Sequence, residues 1–435
     1  MKFMKTQPTT IAPSAHWLSI SLRCLPLALL GLFCWQGAVH GSGGSSGSSG
    51  NSGSGNSGGG NFNEGELIVA LKPGVDVNAF NARHATTVKE SLEGVNQYLL
   101  SLPGGVKVQD KLREIMGDSE TAFALPNAKF QPAEVRQRSQ AFLDQRSQAF
   151  LDGASPLDFY GQPSMARLHL VEAQQWSRGG GVRVAVIDTG LDFEHPLFAG
   201  RIAYPNFDFV DNDNAPDEVM GGTGSGHGTF VAGLISLTAP GATIMPLRAF
   251  GPDGAGTSFN IAKAIRYAAD NGAQIINMSF GLLERDKLID DALGYASGKV
   301  YMISAAGNDD QNFLHFPAQI KDKTLAVTST DDGDHKAVWA NFNRDVQVAA
   351  PGVELYSAYP GNRWATWSGT SFSTALVTGE AALALALNPG LNQSAMTDVL
   401  THSGTNLDAL NPNYARMLGS VRIDFQAAVQ LAFPH

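Results

Sequence analysis

The chain has 435 residues, with 40 acidic against 30 basic side chains, 48 glycines and only 2 cysteines. That length allows two or three domains and a sizeable core, and 43% hydrophobic with 16% charged residues is a globular average. A net charge of -10 argues against nucleic acid as the partner, two cysteines exclude a disulfide-dense scaffold or a Cys-rich zinc module, and no run of 18 apolar residues demands a spanning helix.

Lys2, Lys5 and Arg23 precede a compact apolar stretch, Cys24 to Trp35, and small residues Gly37 and Ala38 follow. This is the order of a secretory signal, so residues 1–40 are expected to direct export to the periplasm or the medium. An uncleaved signal anchor tethering the protein to the membrane is the alternative. Cys34 is a poor lipidation site because Phe33 stands where a small residue is wanted. Both cysteines leave with a cleaved signal. Residues 41–61 form a Gly/Ser-rich linker: positions 41–60 hold 10 Gly, 8 Ser and 2 Asn. Such a segment buries nothing against its ordering entropy, and its mean reach is about 25 Å.

Residues 62–131 change character. Strands are predicted at Glu66–Lys72, Thr87–Val88, Gln97–Leu102 and Thr121–Leu125, with helices at Val77–His84 and Val106–Met116. The order β-α-β-β-α-β is that of a small α+β, ferredoxin-like domain. In the connecting segment 132–157 an octapeptide occurs twice, Gln137–Asp144 and Gln145–Asp152. Two copies cannot make a solenoid. The repeat reads as duplication in a tolerant linker, or as a processing or docking segment.

Residues 158–435 carry the chemistry. Val182-Arg-Val-Ala-Val-Ile187 is a near-continuous apolar run, as in a parallel strand covered on both faces, and it ends in Asp188-Thr-Gly190. Gly226-His-Gly-Thr-Phe-Val-Ala-Gly233 puts His227 at a helix entrance. Val300-Tyr-Met-Ile-Ser-Ala-Ala-Gly-Asn308 delivers an Asn at a strand end. Gly369-Thr-Ser371 opens a helix with little polar surface, which must run through the core. Taken singly, Asp188 suits a turn, His227 a core position and Ser371 an N-cap. Taken together they supply a nucleophile, a base for its proton, a carboxylate to hold the imidazole tautomer, and an amide donor for an oxyanion.

From Tyr160 to Phe433 the sequence resembles the subtilisin-like serine peptidases. The resemblance rests on Val186-Ile-Asp-Thr-Gly190, His227-Gly-Thr-Phe-Val-Ala-Gly233, Ser304-Ala-Ala-Gly-Asn308 and Gly369-Thr-Ser-Phe-Ser-Thr374, with Ala349-Ala-Pro-Gly352 and Ile276-Asn-Met-Ser279 in support. It implies a three-layer α/β fold with a mostly parallel central sheet. It also implies a secreted endopeptidase in which Asp188 orients, His227 is the acid/base, Ser371 attacks, and Asn308 with the Ser371 N–H binds the oxyanion. Ser279, Phe280 and Gly281 resemble the edge that pairs with an extended polypeptide substrate. Ser304, Ala305, Ala306 and Gly307 resemble a wall of the pocket for the residue preceding the cut. Asp309 and Asp310 read as solvated loop charges around an apolar-preferring pocket, or as anchors for a basic side chain.

The resemblance makes residues 62–131 an inhibitory propeptide, a self-made intramolecular partner, with cleavage expected between Phe130 and Leu157. Asp208, Asp211, Asp213, the carbonyl of Ala215 and Asp217 resemble a structural calcium loop of thermitase-like members. No catalytic cofactor is implied, and the chain is expected to act as a monomer. Two departures from the family pattern stand out: Ala375 replaces a proline four residues past Ser371, and Phe230 replaces a second histidine after His227-Gly-Thr.

Overall fold

The structure is a computed structural model that describes residues 62–92, 94–130 and 155–434. The expected signal segment, the linker and the tandem repeat lie outside these residues.

The first described region follows β1 (Phe62–Leu71), helix Val77–His84, β2 (Thr87–Leu92), β3 (Gln97–Ser101), helix Val108–Met116 and β4 (Thr121–Phe130). The strands lie in the order β2-β3-β1-β4, with β1 antiparallel to both neighbours. Strand periodicity gives this sheet two apolar faces. Leu67, Val69 and Leu71 pack with Phe80, Leu100, Val108 and Ile115 under the two helices. Ile68, Leu92 and Leu99 point the other way, into a cluster with Phe259, Ile265, Leu288 and Leu293 from the larger region. The pattern had ended β4 at Leu125. The strand instead continues to Phe130, and Pro126 is accommodated where the β1 register shifts opposite Leu67.

The larger region adds β5 (Arg183–Asp188), β6 (Phe207–Asp208), β7 (Thr243–Arg248), β8 (Gly256–Thr257), β9 (Ile275–Met278), β10 (Tyr301–Ala305), β11 (Leu325–Thr330), β12 (Val348–Pro351), β13 (Leu355–Tyr359), β14 (Arg363–Trp367), β15 (Gly404–Thr405) and β16 (Val421–Ile423). The main sheet runs β15-β16-β12-β11-β10-β9-β5-β7-β6, and β13 and β14 form a separate antiparallel hairpin. Every pairing in the main sheet is parallel except that of the edge strand β15. Alternation on β5 explains its unbroken apolar run. Val184 and Val186 face helices His227–Thr238 and Thr370–Leu387, while Ala185 and Ile187 face helices Ser258–Asp270 and Lys287–Ala296. The result is three layers, helix on sheet on helix.

Strand order reverses around β5, which has β9 on one side and β7 on the other. A crevice opens at the carboxyl end of strands at such a switch point, and Asp188 is the last residue of β5.

Helix Thr370–Leu387 is apolar enough to cross a membrane, but it is buried in the core of this fold. Its one acidic residue is Glu380, fully buried. Burial first, and the nearby charge of Asp424 second, push the Glu380 carboxyl well above the ordinary range. The unfolded chain releases this proton near pH 4.5 while the folded chain keeps it. The unfolded state therefore binds fewer protons above that pH, and stability falls as pH rises. Glu380→Gln is expected to raise the melting temperature at pH 8, with a gain on the order of 1–3 kcal/mol, and to lose most of that advantage at pH 4. Thermal unfolding at both pH values checks this, and an equal effect at both would contradict it.

Candidate active site

Asp188 ends β5 with its carboxylate buried, and one oxygen, Oδ1, accepts the Thr189 N–H at 2.8 Å. The same oxygen lies 2.7 Å from Nδ1 of His227, which is also buried. With a carboxylate on Nδ1, that nitrogen carries the proton and Nε2 is the basic one.

His227 is the first residue of helix His227–Thr238, and two glycines allow it to sit there. Gly226 turns with φ 85°, and a Cβ on it would come within 2.4 Å of the Tyr359 ring. A Cβ on Gly228 would lie 2.2 Å from the Gly190 carbonyl oxygen and 3.1 Å from the Asp188 Cβ. The Gly228 N–H instead donates to Thr189 Oγ1 at 2.9 Å, clamping the helix start to the Asp188 turn. This helix has no capping side chain of its own. Glu218, from the preceding loop, takes that role by accepting from Thr229 N–H at 3.2 Å and Thr229 Oγ1 at 3.0 Å. Burial, and secondarily the Asp188 charge, push the Glu218 carboxyl up.

Ser371 is the second residue of helix Thr370–Leu387 and donates its hydroxyl to the Ser279 carbonyl at 2.9 Å. Phe372, the next residue, has its ring 5.5 Å from that of His227, and the Trp367 ring stands 5.8 Å from His227. Phe230, in place of the family's second histidine, packs against both Trp367 and Phe372. Ala375 lies buried inside the helix, which continues unbroken through it.

Asn308 follows the end of β10 after the turn at Gly307, φ 109°. Its Oδ1 accepts from Thr370 N–H at 3.0 Å and from Thr370 Oγ1 at 2.9 Å. That assigns the amide: Oδ1 faces the helix start and Nδ2 is directed to the other side. Ser279 Oγ donates to the Ser371 carbonyl at 3.0 Å, and Asn277 Nδ2 donates to Ser279 Oγ at 2.8 Å. Phe280, Ser304, Ala305 and Ala306 are buried around these strand ends, and Gly281 and Gly307 complete the two segments. The structure thus gathers Asp188, His227, Ser371, Asn308 and both predicted substrate segments at one end of the main sheet.

One segment was not foreseen. Gly256 and Thr257 of β8 pair antiparallel with Phe130 and Lys129 of β4. Its sequence, Gly251-Pro-Asp-Gly-Ala-Gly256, reads as a loop, and the edge exists because Gly256 lets the chain pass the Phe250 ring, 2.7 Å from where a Cβ would be.

The predicted calcium residues take other partners. Arg248 Nη1 lies 2.5 Å from Asp208 Oδ2 and from Asp211 Oδ2. Asp208 Oδ1 accepts the Val210 and Asp211 N–H groups, Asp213 Oδ1 accepts that of Ala215, and the Ala215 carbonyl accepts from Asp217. Burial and the neighbouring carboxylates of Asp192, Asp213 and Asp208 push Asp217 up. Among the described residues no three His, Cys, Asp or Glu side chains converge as metal ligands. Arg248 thus neutralises Asp208 and Asp211, two of the five residues of the expected calcium loop.

The model of the subtilase family of peptidases matches residues 179–420, more than half of the chain. The chain belongs to the subtilase family. Residues 48–127 match the N-terminal prodomain of fervidolysin. The chain is 38% identical over 223 residues to thermitase of Thermoactinomyces vulgaris, covering 48% of this chain and 77% of thermitase. It is 31% identical over 262 residues to subtilisin BL of Lederbergia lenta, covering 58% of this chain and 92% of that protein. The fold is also that of the fervidolysin crystal structure, from Fervidobacterium pennivorans, described as a keratinolytic enzyme related to subtilisin. The TM-score is 0.68 at 22% identity, over 85% of this chain and 61% of that one. This subtilase is a serine endopeptidase with an N-terminal prodomain.

The contact of Gly228 with the Asp188 turn gives a direct check on the site. Gly228→Ala in this subtilase must push helix His227–Thr238 off Asp188. A misplacement of about 1 Å costs on the order of 10²-fold in rate. Peptide hydrolysis by the variant is expected to fall by at least that factor, and near-normal turnover would contradict the clamp.

Proposed function

We propose that this subtilase cuts peptide bonds through an acyl-enzyme on Ser371, and that it is exported as a precursor inhibited by residues 62–131. The observation that carries the reading is the buried 2.7 Å contact of His227 Nδ1 with Asp188 Oδ1, beside a serine in the first turn of a buried helix.

In this mechanism the Ser371 hydroxyl gives its proton to His227 Nε2 as the oxygen bonds to the scissile carbonyl carbon. Asp188 holds the imidazole in the required tautomer and stabilises the imidazolium. The carbonyl oxygen, now anionic, takes the Asn308 Nδ2–H and the Ser371 N–H, and the positive end of helix Thr370–Leu387 supports the charge. His227 then protonates the leaving amine as the C–N bond breaks. Water, deprotonated by His227, attacks the ester carbonyl and frees Ser371.

Inhibition is supported by the pairing of Lys129 and Phe130, as an extended strand, with β8, which bridges to Phe250, whose ring lies 5.1 Å from that of Phe280 in the expected substrate edge. Asn127 adds to this hold, accepting the Phe259 N–H at 3.2 Å in the first turn of helix Ser258–Asp270.

Labelling by a serine-directed fluorophosphonate is expected in the mature enzyme and absent in Ser371→Ala; a labelled Ser371→Ala protein would sink the assignment. Asn308→Ala is expected to lower turnover by about 10²–10³-fold, the loss known for the corresponding donor in subtilisin itself. N-terminal sequencing of the exported form is expected to find a start between Phe130 and Leu157. A product beginning near residue 40 would refute the precursor arrangement.

A further inference from the structure

Ser371 lies between two chain segments that each carry a glycine, Gly281 and Gly307. On one side is Ser279–Gly281, whose Ser279 carbonyl accepts the Ser371 hydroxyl. On the other is Ala305–Asn308, tied to the helix start through Thr370. An acyl group bonded to Ser371, with its oxygen toward Asn308, directs its side chain between these two segments. The side chains that Gly281 and Gly307 lack leave a slot between them.

That slot is filled by this chain's own His315. A Cβ on Gly281 would lie 2.5 Å from His315 Cβ and 2.9 Å from its Nδ1. A Cβ on Gly307 would lie 2.8 Å from both Cγ and Nδ1 of the same ring. The imidazole is therefore wedged between two glycine backbones, and His315 is only 1% exposed. It is anchored to both walls. The His315 N–H donates to the Ala306 carbonyl at 3.0 Å, while Phe316 and Leu282 exchange N–H···O bonds of 2.8 and 2.9 Å. Nε2 lies 2.5 Å from Asp309 Oδ2, and the Phe313 ring lies 5.5 Å from the imidazole.

The same contacts settle what the two acidic residues past Asn308 do. Asp309 is engaged by His315, and Asp310 by the buried Lys336 Nζ at 2.7 Å. Both carboxylates are committed within the protein rather than poised to bind a basic side chain.

We infer that His315 closes the pocket for the residue preceding the cut, so that this enzyme cleaves after glycine, alanine or serine and rejects large side chains. The inference rests on Ser371 being the nucleophile. Interiors are close-packed, and a side chain larger than that of serine must displace the ring from both walls and from Asp309. A single methylene is worth 10- to 200-fold in such pockets, so discrimination against a whole phenyl ring is expected to reach at least about 100-fold.

The test uses the mature enzyme and peptide anilides that differ only in the residue before the scissile bond, with fluorophosphonate labelling on the same preparation. The expected result is a kcat/KM for Ala at least about 100-fold above that for Phe or Leu. In His315→Ala the Ala-to-Phe ratio is expected to fall by at least about tenfold, through KM for the Phe substrate, and Asp309→Asn is expected to move it in the same direction. A labelled wild-type enzyme that prefers Phe or Leu overturns this inference and leaves the peptidase reading intact. So does an unchanged ratio in a folded His315→Ala. Absence of labelling overturns the peptidase reading and this inference with it. Should His315→Ala fail to fold, the wild-type ratio decides alone.

Discussion

Helix Thr370–Leu387 is buried along all but its last two residues, and its first turn brings polar backbone into the core. The leading N–H groups and the hydroxyls of Thr370, Ser371, Ser373 and Thr374 must all find partners there, because an unpaired buried polar group is costly. Asn308 takes the Thr370 N–H and hydroxyl. The Ser279 carbonyl takes the Ser371 hydroxyl, and the carbonyls of Ala350 and Pro351 take that of Ser373. Further along, Thr378 Oγ1 donates to Asn277 Oδ1 at 2.9 Å. Each partner stands on or just past a strand of the main sheet, so satisfying the helix start draws the ends of β9, β10 and β12 into one place. The chemistry is assembled by a constraint that concerns stability first.

The prodomain obeys a related economy. Its four strands are too few to make a deep core of their own, and its sheet has apolar residues on both faces. One face packs under its two helices, and the other is buried only against helices Ser258–Asp270 and Lys287–Ala296 of the larger region. That shared cluster, the Gln97–Asp291 hydrogen bond of 3.2 Å and the pairing of β4 with β8 hold the two regions as one packed body. The same arrangement pairs the end of the prodomain with β8.

Two buried cations organise the loops around that site. Arg248, from the end of β7, gathers Asp208 and Asp211. Lys336 donates to Asp310 and to the carbonyls of Ala337, Val338 and Ala340, with the Phe342 and Tyr414 rings 5.2 and 5.1 Å away. Beside it, Asn341 Oδ1 accepts the Asp309 and Gln311 N–H groups, so the loop that follows Asn308 is held at several points. Arg248 ties together two carboxylates of a run that, in the linear sequence, resembles a calcium loop. The run of alternate aspartates was legible; its guanidinium partner, some forty residues away, was not.

Most of the candidate site was legible because its parts are local patterns. An apolar run ending in Asp188, glycines around His227, a strand ending at Asn308 and an apolar helix opening at Ser371 each announce backbone geometry within a few residues. The prodomain's element order was equally plain from alternation and turn residues. What tertiary structure decided depends on pairs distant in sequence. β8 became a strand only because Lys129 and Phe130 lie beside it, and Glu218 became a helix cap only because its loop folds back on Thr229. His315, a histidine in an unremarkable loop, fills the slot between Gly281 and Gly307. Periodicity and turn chemistry act over one element and can be read from one element. A pocket is bounded by several, and which side chain closes it is settled only when they pack.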